Sequence, residues 1–199
     1  MPLHRFVFVA AILLAFSSVA RCQTSSKHEV NFPTKTEILL IVTQTQRAVE
    51  SYKPLIDQEE KLLGKEGQEA VKKDREVVGM IELSVNGFTK NPEEFNSPLG
   101  FLFFEALDDA SRNAALCSGN ATNAVITNIL DKKGSDHESG MRLAQSCIDV
   151  SNLFYTISEN AGALYSRYVE SLQQTAQLGA DTAAKCADIL KKQRVLPKK

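Results

Sequence analysis

The chain has 199 residues, 23 basic against 24 acidic side chains, and a formal net charge of −1. That balance leaves no electrostatic footprint for nucleic acid, and four Tyr with no Trp give an aromatic binding platform little to be built from. The length suits one domain with a real core.

The N-terminus reads MPLHRFVFVAAILLAFSSVA. Arg5 supplies a positive start, Phe6 to Phe16 is unbroken apolar sequence, and Ser18 and Ala20 are small residues placed for cleavage. This is the layout of a secretory signal peptide over residues 1–20. The apolar run falls short of the roughly 20 residues a membrane span needs. A competing cut after Cys22 would start the chain at Gln23 and remove that cysteine. No second apolar run reaches spanning length, so the mature chain is expected to carry no transmembrane segment and to be secreted and extracellular. Secretion favours disulfides, and the candidates are Cys22, Cys117, Cys147 and Cys186. Sequence does not choose among their pairings. Loss of Cys22 would leave an odd thiol, open to reaction or to a covalent homodimer.

Residues 21–33 read as a disordered lead-in, and residues 34–193 as a single helical domain. Thr34 and Glu37 form the reciprocal capping box that starts a helix. Ile38, Ile41, Val42, Val49, Tyr52 and Ile56 follow at helical spacing, with Pro54 placed to kink or end the run. After Gly64-Lys65-Glu66-Gly67, the row Val71, Val78, Ile81, Val85 predicts a second helix, which Gly87 is placed to terminate. Residues 88–97 read as the clearest loop.

Ser97 and Pro98 then open a third helix as cap and first-turn proline. Its buried face is predicted to be Phe103, Ala106, Leu107, Ala110, Ala114 and Cys117, with Glu105, Asp108 and Arg112 opposite. Phe101 and Phe104 lie off that face: they either pack under the preceding loop or form an exposed apolar patch. Asn120-Ala121-Thr122 is an N-glycosylation acceptor at a predicted helix junction, with a short helix over 121–132 beyond it. Ser135 and Glu138 repeat the capping-box pattern.

From Cys147 the sequence steps by threes and fours through Val150, Phe154, Ile157, Ala161, Leu164 and Tyr168. That is a heptad seam. It runs on, one residue displaced, through Leu172, Gly179, Ala183, Cys186 and Leu190. Either one helix spans 136–192 or it breaks at Gly162 or, better, at Gly179-Ala180-Asp181. Cys147 and Cys186 are 39 positions apart, about 58 Å on one straight helix. A disulfide needs Cα atoms within about 7 Å. On a continuous helix each must therefore turn to Cys117, Cys22 or another chain. Residues 194–199 form a basic tail. The fold class that results is all-α: a disulfide-stapled bundle of four to six amphipathic helices, with a long C-terminal helix or helix pair.

Catalysis needs convergent polar groups, and the sequence patterns offer few. His28 falls in the lead-in, and His137 at a helix start has no histidine four residues on. No CxxC pair, GxSxG elbow or HExxH motif occurs, and Gly64-Lys65-Glu66-Gly67 lacks the spacing of a phosphate loop. Adjacent acids such as Asp108-Asp109 and Glu93-Glu94 read as solvated charge, since neighbours on a helix diverge by about 100°. No catalytic residue, metal site or cofactor is assigned.

The stretch from Phe103 to Leu190, centred on FFEALDDASRNAALC and AQSCIDVSNLFYTISENAGALYSRYVESL, resembles secreted insect helical proteins related to the N-terminal domain of tsetse EP protein. The resemblance implies an extracellular insect protein of gut, haemolymph or secretory gland, without an enzymatic role. The chain is also similar to plant inhibitors of invertase and pectin methylesterase, which implies a secreted four-helix bundle with two disulfides. That family carries two close cysteines near its mature start, where this chain has only Cys22.

The function expected is therefore that of a secreted, non-enzymatic binding or inhibitory factor of salivary, venom, gut or immune type, acting on an extracellular protein. A carrier of lipid or small apolar ligands is the alternative, since Ala161, Gly179 and Ala183 leave room along the seam. A plant-type enzyme inhibitor bundle is a further one.

Overall fold

A computed structural model describes residues 30–130 and 137–195. Residues 1–20, where a signal peptide is expected, and Cys22, His28, Ser135 and residues 196–199 lie outside the described residues. Within them the chain is all helical and no strand occurs. Helices α1 (Lys35–Leu63), α2 (Gln68–Lys90), α3 (Pro98–Leu130) and α4 (His137–Val195) are joined in part by 3₁₀ turns at Gly64–Gly67 and Pro92–Phe95. No described helix is long and apolar enough to cross a membrane. The chain divides into two compact units: residues 33–166, and residues 1–32 with 167–199. The division falls inside α4.

In the larger unit, α1 begins as its sequence dictates. The Glu37 amide donates to Thr34 Oγ1 at 3.3 Å, and the Thr34 amide donates to Glu37 Oε2 at 2.8 Å. Pro54 lies inside α1 and does not end it. Its missing N–H forfeits one helical bond, but Tyr52, Leu55 and Ile56 around it are all buried, and that packing holds the helix. Gly64 ends α1 with φ +58°, a left-handed conformation that suits glycine.

Several predicted breaks are absent, each for a packing reason. Gly87 does not stop α2, because Phe88 beyond it is 2% exposed and the helix continues to Lys90. The expected loop over 88–97 is mostly ordered packing: Phe88, Phe95 and Phe103 meet edge to face at centroid distances of 5.3–6.4 Å. Ser97 does cap α3, its Oγ accepting from the Leu99 amide at 3.2 Å. The junction expected at Asn120 does not exist either. Cys117, Ser118, Ala121 and Val125 are buried on one face, so α3 runs straight through.

Helix α4 packs antiparallel to α3. Two reciprocal hydrogen bonds mark the approach: Ser111 Oγ donates to the Ser151 carbonyl at 3.0 Å, and Ser151 Oγ returns a bond to the Ser111 carbonyl at 2.8 Å. Small side chains with satisfied hydroxyls let the two backbones come together. Cys147, Val150, Phe154, Ile157 and Ala161 of the seam are all buried.

In the smaller unit, residues 30–32 and 167–195 are described. Gly179 does not break α4. A hydrogen bond of 2.9 Å from Gln177 to Asp181 spans it, so Asp181 braces the helix flank and caps nothing. The seam also changes register here. Leu172, Gly179 and Ala183 are exposed, while Ser171 is buried and Thr175, Leu178, Thr182 and Cys186 are half-buried. The threonines suit a covered face because Thr175 and Thr182 return their hydroxyls to the Ser171 and Leu178 carbonyls, each at 2.8 Å. Phe32 stacks obliquely on Tyr168 at 6.2 Å.

Candidate functional site

Two of the cysteine candidates come together. Cys117 and Cys147 stand at disulfide distance, with Cα atoms 6.0 Å apart across the α3–α4 crossing. Both are fully covered, at 1% and 0% exposure. Cys186 lies in the smaller unit, half-buried.

Phe101 and Phe104 both meet residues of α4. Phe104 lies against Gly162 of α4, where a methyl group would come within 3.1 Å of its ring. Phe101 reaches Tyr165 at a centroid distance of 5.8 Å and keeps 41% of its surface exposed. His137 is exposed at the first position of α4. Asp108 and Asp109 both pair with Arg112 on the outer face of α3.

The place where polar side chains converge is one that the sequence reading passed over. Tyr52 and Glu59 are two turns apart on α1, both at 0% exposure. Asp74, at 4%, projects from α2 between Val71 and Val78. Asn120 on α3 closes the group, its Nδ2 donating to Glu59 Oε1 at 2.8 Å. That nitrogen is the atom to which a glycan would be attached. The other Glu59 oxygen, Oε2, and the Tyr52 hydroxyl find no hydrogen-bond partner among the described residues.

Burial first, and then the negative charge of Glu59, raises the Asp74 carboxyl from 3.8 to about 7. The Tyr52 hydroxyl is pushed well above its ordinary value by burial and then by Asp74. Asp74 is therefore poised to hold a proton near neutral pH.

A cleft of about 330 Å³ opens onto this group between α1, α2 and α3. Glu59, Asp74, Asn113 and Asn120 give it a polar floor, Ala70 and Leu116 an apolar side, and Lys73 and Glu69 a charged rim. Lys73 and Glu69 pair with each other at 3.3 Å, both largely exposed. Among the described residues no three His, Cys, Asp or Glu side chains come together as a metal site.

The signal for this site was present but indirect. Glu59 and Asp74 occupy positions that helical periodicity assigns to apolar residues, three or four places from Leu55, Ile56, Val71 and Val78. An acid in such a row is a buried acid. The chain matches no protein-family model, no curated protein and no solved structure.

Proposed function

We propose that this is a secreted, extracellular binding protein that acts through its surface and not by catalysis. The observation that carries the reading is a second apolar face on α3. Beyond the buried stripe, Ile126, Ile129 and Leu130 are 49%, 54% and 76% exposed at spacing i, i+3, i+4. A helix apolar on two faces is built to be covered twice, and grouped exposed aliphatics mark interaction sites. A bond between Cys117 and Cys147, closing at the α3–α4 crossing, would hold that face on a rigid support.

An apolar carrier is the less supported alternative, because the clefts that the described helices line carry charged residues such as Lys53, Asp57, Arg75 and Glu82.

The test is photo-crosslinking from a residue beside the patch in the fluid into which the protein is secreted. Wild type and Ile126→Glu/Ile129→Glu are compared at matched folding. A discrete crosslinked protein lost in the variant supports the reading. The same crosslinks from both proteins refute it.

A further inference from the structure

We infer that the cleft between α1, α2 and α3 is a binding site for a small organic ammonium ion with a short apolar tail. Four observations converge on that chemistry. Glu59 is wholly buried, yet its Oε2 lacks a partner, and a buried carboxylate oxygen without a donor is costly. Its Oε1 is held by Asn120 at 2.8 Å, which leaves Oε2 as the acceptor available to a ligand. Asp74 supplies a second carboxyl on the cleft floor. Two carboxyls with amide and phenol neighbours suit the three donors of an ammonium group. A divalent metal would call for more oxygen ligands than converge here.

The apolar side of the cleft, Ala70 and Leu116, sets the other half of the ligand. A volume of about 330 Å³ accepts a small molecule and excludes a folded peptide segment. The rim cation, Lys73, is neutralised by Glu69 and does not repel the ligand.

Protonation then controls occupancy. Among the described residues, the groups around Asp74 are Tyr52 and Glu59 from α1, Glu69 and Lys73 on α2 beside it, and Asn113, Asn120 and Cys117 from α3; from α4 the Phe154 ring lies against Tyr52 at 5.8 Å. An entering ammonium displaces the proton that Asp74 holds. Affinity therefore falls up to tenfold for each pH unit below about 7.

The test uses the full secreted protein, with phenethylammonium as the probe and phenethyl alcohol as its neutral counterpart, followed by calorimetry and NMR at about pH 8 and pH 6. Phenethylammonium is expected to bind at least tenfold more tightly than the alcohol, and more tightly at the higher pH. Glu59→Gln should weaken it more than tenfold. Leu116→Trp serves as a second variant that spares the fold: Leu116 is 64% exposed, and an indole there blocks the mouth. Equal binding of amine and alcohol would overturn the inference. So would unchanged affinity in Leu116→Trp, or absence of any binding at both pH values. None of these results bears on the outer face of α3.

Discussion

Asp74 offers the sharpest check on the energetics of the core. Its carboxyl moves from 3.8 to about 7 on folding. The folded state thus binds the proton more tightly than the unfolded state. The associated stability is complete below about pH 4 and is lost as pH rises through about 7. Integrating between about pH 5 and pH 8 gives a loss on the order of 2–3 kcal/mol. For a chain of this size that corresponds to roughly 5–10 °C in melting temperature. Asp74→Asn keeps the shape and removes the titration, so the variant should show a much flatter profile and exceed wild type at the upper pH. Urea unfolding of both proteins across this range measures the difference, and His28 and His137, present in both, cancel. Equal slopes in the two proteins would refute the reasoning. So would a wild-type stability that does not change with pH.

Other outcomes follow from local geometry. At Gly100 a methyl group would sit 2.1 Å from the Phe95 carbonyl oxygen, so Gly100→Ala should cost about 2 kcal/mol or more in urea unfolding despite its better helix propensity. At Gly179 nothing lies within 4 Å, and Gly179→Ala should leave α4 more helical, by about 1 kcal/mol locally, seen as slower amide exchange. If Cys117 and Cys147 are bonded, reduction opens a link of sequence separation 30 and should cost about 3.5 kcal/mol, measured by unfolding with and without reductant. Asn120 is expected to stay unglycosylated in the secreted protein, its nitrogen being engaged by Glu59; deglycosylation should leave the intact mass unchanged.

What periodicity could read, it read through burial. The rows Phe103 to Cys117 and Cys147 to Ala161 are buried residue for residue, because the spacing of apolar side chains is the cause of the packing itself. Helix ends were less legible. Gly87 and Gly179 looked like stops, yet a glycine inside a helix costs only about 1 kcal/mol, and at Gly87 the buried neighbour Phe88 outweighs that. The loop reading of 88–97 failed on two residues: Phe88 and Phe95 find each other only through the fold, at 5.6 Å.

The acid cluster was hidden for a different reason. A search for chemistry along the sequence looks for acids next to each other, and it found Asp108-Asp109 and Glu93-Glu94, which the structure leaves on the surface. Glu59 and Asp74 are separated in sequence and joined only by the packing of α1 on α2. For stability alone, a paired buried carboxyl is a poor choice, since apolar residues of similar volume usually do as well or better. Glu59→Met/Asp74→Leu, which fills those positions in the same rows as Ile56 and Val78, should therefore melt no lower than wild type at about pH 8. If it does so and has lost the ammonium, the cost of burying the two acids is accounted for by what they bind.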